Sequence, residues 1–193
     1  MRSGQQRRRT SETDVTLALN LDGSGESQIF TGVGFFDHML TLFSKHGGFD
    51  LDLKVSGDLV VDPHHTVEDV GIVLGESLRE ALGDKSGIER YGCAYVPMDE
   101  ALVRAVVDLS GRSFCHYEVV VRAKKLGGFD TELTEEFLRA LTNHGRFSLH
   151  IDLIRGRNSH HIIEAVFKSL GRALRQAVAQ TSTLGIPSTK GTL

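Results

Sequence analysis

Cysteine is scarce in this chain: only Cys93 and Cys115 occur in 193 residues. That is too few for a disulfide framework and points to a reducing, cytoplasmic setting. No apolar run approaches the roughly 20 residues that a membrane helix needs, so no membrane partner is expected. An excess of one charge is also lacking. Lys and Arg total 22 against 25 Asp and Glu, a formal net charge of −3, so there is no general pull toward nucleic acid. Basic residues cluster at 7–9 and around 122–125, without the interleaved aromatics of an RNA-binding surface. The opening MRSGQQRRR has no apolar stretch after it and is not a secretory signal. Residues 1–11 are expected to be a flexible, solvated leader. The rest has an ordinary globular balance, 40% hydrophobic and 24% charged.

Against these absences stand nine histidines, two pairs of them adjacent: His64-His65 and His160-His161. The pairs open a longer match. HHTVEDVGIVLGESLREAL (64–82) lies over HHIIEAVFKSLGRALRQAV (160–178), and nine of the 19 positions are identical. Upstream, across a two-residue gap, KHGGFDLDLKV (45–55) lies over NHGRFSLHIDL (143–153). The chain therefore reads as two copies of one unit, 12–95 and 96–185, with a break near Pro97 and a tail at 186–193. Each copy is too short to bury much surface alone, so the two are expected to share one core.

Apolar residues at Val67, Val70, Leu74, Leu78 and Ala81 follow helical spacing. Asp62 and Asn158 are suited to capping the two HH-containing helices. Segments 35–46 and 134–144 read as helices ended by glycine. Strict alternation predicts strands around 15–21, 49–55 and 147–153, with further strands at 101–109 and 113–121. The expected class is α+β, with sheets covered on one side by helices.

The motif H-H-x-x-E occurs in both copies. On a helix, Glu68 stands four residues from His64 and three from His65, so all three share one turn. Adjacent histidines project about 100° apart, a geometry suited to serving two ions rather than chelating one. Imidazole with carboxylate fits Mn²⁺, Fe²⁺, Co²⁺ or Zn²⁺. His38 lies in the first helix of copy one, and the repeat places Glu136 opposite it, so each could complete a ligand set. His46 and His144 also correspond and precede helix-ending glycines, where a histidine can bond last-turn carbonyls. His150 shares a strand face with Asp152.

FFDHML (35–40), HGGFDL (46–51), SGDL (56–59), HHTVED (64–69), LGDKSGI (82–88), PMDEAL (97–102), DLSGR (108–112), SHHIIEA (159–165) and PSTKG (187–191), taken together, resemble the imidazoleglycerol-phosphate dehydratase family. The resemblance covers everything after the opening residues. It implies a tandem duplication of a ribosomal-S5-domain-2-like unit, with helices packed between two mixed β-sheets. It implies a homo-oligomer of about 24 subunits with active sites between them. It also implies two Mn²⁺ ions per site and a substrate, imidazole glycerol phosphate, that is dehydrated to imidazole acetol phosphate in L-histidine biosynthesis.

Carried over by position, the metal ligands are His38, His64, His65, Glu68, Glu136, His160, His161 and Glu164. Many relatives have histidine at position 136, and His150 is the alternative eighth ligand. The resemblance assigns substrate phosphate to Arg90, Arg112, Ser188 and Lys190. Guanidinium forks and a lysine point charge suit that role. Glu12 matches a substrate-contacting glutamate and is the first candidate for moving protons, with Asp99 and Glu100 behind it. The metals would favour the imidazolate form of the substrate ring, whose electrons expel the adjacent hydroxyl. A metal-dependent phosphohydrolase, a metal store and an RNA-binding module are the competing readings.

Overall fold

The computed structural model describes residues 2–182, 185–191 and 193. The first half runs β1 (Ser3–Arg9), β2 (Thr13–Asn20), β3 (Ser27–Phe30), α1 (Gly34–Gly47), β4 (Asp50–Gly57) and α2 (His64–Leu82). The second runs β5 (Tyr91–Met98), β6 (Ala101–Asp108) and β7 (Phe114–Glu118), then a short hairpin of β8 (Lys125–Leu126) and β9 (Phe129–Asp130). It ends with α3 (Leu133–Gly145), β10 (Ser148–Arg155) and α4 (Ser159–Ala177). The strand orders are β1-β2-β4-β3 and β5-β6-β10-β7. In each sheet the third strand pairs antiparallel with the second and parallel with the fourth. The two halves thus repeat one topology, as a duplicated sequence requires.

Alternation along the strands explains the layering. On β2, Val15, Leu17 and Leu19 are buried, and on β10 Leu149 and Ile151 are buried, while the residues between them face outward. Helix α2 packs on β1 and β2, α4 packs on β5 and β6, and α3 and α1 lie beside α2 and α4. The helices therefore form the middle of an α+β sandwich between two mixed sheets. Phe36, Phe137 and Phe167, from three helices, meet at ring-centroid distances of 5.3–6.4 Å in the shared core. Truncating one of them to alanine is worth about 3–5 kcal/mol. Neither half could bury these rings alone.

Residues 3–9 are not a flexible leader. They form β1, paired with β2 along its whole length, from Ser3↔Asn20 to Arg9↔Asp14. The strand was missed because it is a polar edge in which only Gly4 is buried. Its counterpart is β5, and close contacts identify the match. A Cβ on Gly4 would come 2.0 Å from the Ser77 carbonyl oxygen of α2; one on Gly92 would come 1.9 Å from that of Ala173 on α4. The next amides also correspond: Gln5 N–H donates to Glu80 and Cys93 N–H to Gln176. The repeated unit therefore starts with β1 and with β5, ahead of residues 12 and 96, and the expected break at 96 and Pro97 falls inside β5. Strands β6 and β7 follow each other in sequence but are separated in the sheet by β10.

Candidate functional site

Both HH motifs open helices. Asn158 accepts hydrogen bonds from the His160 and His161 amides at 2.9 and 3.3 Å. In the first half, Asp62 accepts from the His64 amide at 2.7 Å. These caps use amides that have no partner inside the helix.

His38 on α1 is brought to the first turn of α4. Ligand atoms of His38, His160 and Glu164 all lie within 4.8 Å of one another. His38 Nε2 is 3.8 Å and His160 Nε2 is 3.2 Å from Glu164 Oε2. The edge of the Phe35 ring packs against His160 at a centroid distance of 5.2 Å. Glu164 is buried, and Lys168 Nζ approaches its other oxygen at 2.5 Å. Burial alone would raise the Glu164 pKa. Lys168, His160 and His38 more than reverse that, and the carboxyl titrates below its ordinary value. A charged carboxylate with two imidazoles beside it suits a divalent cation.

The second histidine of each pair is held by a carboxylate. His65 Nδ1 lies 3.0 Å from Asp58, and its Nε2 lies 3.8 Å from Glu12. His161 Nδ1 lies 2.8 Å from Glu100, and its Nε2 lies 3.8 Å from Asp99. Hydrogen bonds donated to Asp58 and Glu100 raise the two imidazole pKa values. Glu100 also accepts from the amides of Arg157 and Asn158 at 3.0 and 2.6 Å. The His161 bond contributes most to this, and the Glu100 carboxyl falls to about 2. Glu100 is therefore tied to the loop and to His161, which removes it as a freely exchanging acid or base. Sequence reasoning missed Asp58 and Lys168. Only the i,i+4 spacing of Glu164 and Lys168 was a local signal.

Glu136 lies in the first turn of α3, half-buried. Helix α3 runs along α2 as α1 runs along α4. Gly75 meets the Leu141 carbonyl and the Gly145 amide, and Gly171 meets the corresponding Phe43 and Gly47 groups. Glu136 thus stands toward Glu68 as His38 stands toward Glu164, but among the described residues no three-donor group forms around His64 and Glu68. His150 points the other way. It sits on the outer face of its sheet, between Phe114 and His116, at ring-centroid distances of 5.4 and 5.6 Å.

The four residues expected to hold phosphate line one cavity of about 590 Å³: Arg90, Arg112, Ser188 and Lys190. Arg90 is fixed by Asp108 at 2.7 Å and by the Pro187 carbonyl at 2.9 Å, and lies 4.7 Å from the Tyr91 ring centroid. Its bond to Asp108 raises its pKa further. Two of the five guanidinium N–H groups remain directed at no described partner. His46 and His144 do not make the carbonyl bonds expected of them: His144 pairs with Glu76 at 3.2 Å, and His46 lines a separate cavity with Lys45 and Arg172.

Comparison with known proteins agrees with this architecture. The family model described as imidazoleglycerol-phosphate dehydratase matches residues 31–174. A protein of that name from Exiguobacterium sp. is 58% identical over 99% of this chain and 98% of its own length. One from Lacticaseibacillus casei is 57% identical over the whole of both chains. The crystal structure of the Staphylococcus aureus enzyme is 46% identical, with a TM-score of 0.85 over 93% of this chain and 99% of its own. That of the Pyrococcus furiosus enzyme, in complex with (S)-C348, is 40% identical, with a TM-score of 0.84 over 97% of this chain and 100% of its own.

The chain is an enzyme of the hydro-lyase class on a duplicated α+β scaffold. It belongs to the imidazoleglycerol-phosphate dehydratase family, whose reaction serves histidine biosynthesis. No helix among the described residues is long and apolar enough to cross a membrane.

Proposed function

We propose that the enzyme converts imidazole glycerol phosphate to imidazole acetol phosphate and water at a centre of two Mn²⁺ ions shared between subunits. The observation that carries this is the convergence of His38 with His160 and Glu164 from helices far apart in sequence. The ions would be held by His38, His64, His65, Glu68, Glu136, His160, His161 and Glu164. The donor set fits: imidazoles and carboxylates, with no described thiolate among them. Bound there, Mn²⁺ would act as a Lewis acid that favours the imidazolate form of the substrate ring.

The chain's own residues do the rest. Asp58 and Glu100 hold Nδ1 of His65 and His161, which directs each Nε2 outward as a donor. Glu12, exposed beside His65, moves protons at the glycerol carbons. Arg90, Arg112, Ser188 and Lys190 hold the phosphate and fix the chain of the substrate relative to the ring.

Distances within the subunit support a shared site. Arg90 binds Asp108 at one end of β6, whereas Glu100, next to the other end, binds His161. That strand spans about 23 Å at roughly 3.3 Å per residue. The His64 end of α2 lies a full helix from the segment leading to Arg90, about 28 Å at 1.5 Å per residue. One small substrate would not bridge either gap, which supports the reading that its phosphate and ring are held by different subunits. A large homo-oligomer, of about 24 chains in the family pattern, meets that need. Two free cysteines accord with a cytoplasmic enzyme.

The test removes metal with a chelator and follows formation of the ketone product. Activity should vanish and return with Mn²⁺, and Glu68→Gln and Glu164→Gln should each lose bound metal. Full metal content and normal turnover in both variants would overturn the assignment. Release of inorganic phosphate in place of a phosphorylated ketone would overturn the reaction.

A further inference from the structure

The duplication gives each half a set of donors at a helix start, and the two sets differ in charge. In one set Glu164 lies beside His160 and His38. The repeat puts Glu68, His64 and Glu136 in the corresponding places, so the donors differ only in the exchange of His38 for Glu136. A second exchange lies one turn further along. Lys168 approaches Glu164 Oε1 at 2.5 Å, whereas the repeat places Ile72, buried and apolar, opposite Lys168. The His38–His160–Glu164 set therefore has one carboxylate, whose charge an ammonium offsets. The His64–Glu68–Glu136 set has two carboxylates and no ammonium.

Neighbouring cations do not remove that difference. Among the described residues, the side chains of Glu68 and Glu136 take part in no hydrogen bond or ion pair. Arg139, on the next turn of α3, pairs with Glu135 at 2.5 Å. Arg8 of β1 is taken up by Asp69, the residue after Glu68, at 2.8 Å. The geometry follows the charges. His38, His160 and Glu164 are gathered within 4.8 Å of one another, with two imidazoles and an ammonium around one carboxylate. Glu68 and Glu136 carry like charges and repel, and among the described residues no three-donor group forms there.

That repulsion lowers the affinity of the second set for a cation, but by less than the second carboxylate raises it. A dication attracts each carboxylate with twice the charge product of the repulsion between them, and there are two such attractions. In the first set, Lys168 opposes the attraction of a dication to Glu164. The number of charged oxygen ligands tunes divalent-cation affinity over orders of magnitude. Oxygen donors also favour hard ions such as Mg²⁺ more than imidazoles do.

We propose that the two metal positions are unequal. His64, Glu68 and Glu136 form a tight, hard-cation position that fills first, and His38, His160 and Glu164 form a weaker position that fills second. This order of filling rests on the two-ion reading above and is set by two residues, Glu136 and Lys168.

The test is a titration of the full-length, chelator-stripped enzyme with Mn²⁺, with free Mn²⁺ read from its electron paramagnetic resonance signal. Two ions per chain should bind in two classes whose dissociation constants differ about tenfold or more. Mg²⁺ should compete for the tight class and spare the weak one. Glu136→His gives both sets the same donor types and should weaken the tight class about tenfold, leaving the weak class in place. Lys168→Met removes the ammonium and should tighten the weak class. If Glu136→His does not fold, His38→Glu adds a second carboxylate to the other set and should likewise tighten the weak class. A single affinity for both ions in the wild type, or a gap unchanged by these substitutions, would overturn the inequality and leave the two-ion reading standing. Fewer than two ions per chain at saturation, or binding untouched by Glu68→Gln and Glu164→Gln, would overturn the two-ion reading itself.

Discussion

His161 Nδ1 and Glu100 Oε2 are 2.8 Å apart, and the same carboxylate accepts two backbone amides from the loop that enters α4. One side chain thus sets both the ring orientation of His161 and the path of the chain leading to it. Glu100→Gln keeps the size but loses the charge, and one of its oxygens becomes a donor. Metal affinity should fall about 10–100-fold, as for other carboxylates that orient a metal-binding histidine. Titration of the chelator-stripped enzyme with Mn²⁺ measures it. An unchanged affinity would mean that His161 needs no orienting partner.

Arg112 lines the cavity proposed to hold phosphate and makes no described side-chain hydrogen bond or ion pair within its own chain. Arg112→Ala should therefore raise KM strongly and leave metal content intact. Loss of one charge-assisted phosphate contact is worth about 1.5–3 kcal/mol, a factor of roughly ten to a hundred. Steady-state kinetics with parallel metal analysis separates the two effects. An unchanged KM removes Arg112 from the phosphate site.

Gly92 presses its backbone against the Ala173 carbonyl of α4, where a Cβ would sit only 1.9 Å away. Gly92→Ala must push the strand off the helix. The expected cost is about 1–3 kcal/mol, in the range of overpacked cores. Denaturant unfolding should show a lower midpoint, and Gly4→Ala should behave alike because it meets Ser77 in the same way. Wild-type stability in both would refute the matched contacts as determinants of packing.

Asp50 gathers the amides of Ser24, Gly25 and Glu26 and the Asn20 side chain. The Ser24 amide contributes most to holding its pKa below the ordinary value. A carboxyl depressed in the folded state stabilises the fold fully above its unfolded pKa and loses that contribution as pH falls through the folded value. Asp50→Asn should thus have a lower Tm at neutral pH, with the gap to wild type closing below about pH 4. A gap that stays constant with pH would place the effect in shape rather than charge.

Much of the architecture was legible because its signals are local. The i,i+4 spacing in HHxxE, the caps Asp62 and Asn158 and the alternation along β2, β4 and β10 are written within single elements. Duplication doubled each signal and revealed the helices of both halves. The first strand of each half escaped notice, since β1 is polar along its exposed edge and β5 is interrupted by Pro97. Their membership rests on close backbone contacts at Gly4 and Gly92, and no periodicity records those.

The sequence by itself determined the repeated unit, the residue types able to bind metal and phosphate, and the family to which they point. Only the tertiary structure decided which of them meet. Packing α1 against α4 brings His38 to Glu164, while the alternation of β10 turns His150 to the outer face. The length of β6 separates the Arg90–Arg112–Lys190 cavity from His161 in the same chain. The same packing confronts His46 with Arg172 where His144 finds Glu76. Spacing along a chain specifies neighbours within one element; neighbours between elements depend on how whole surfaces are buried together.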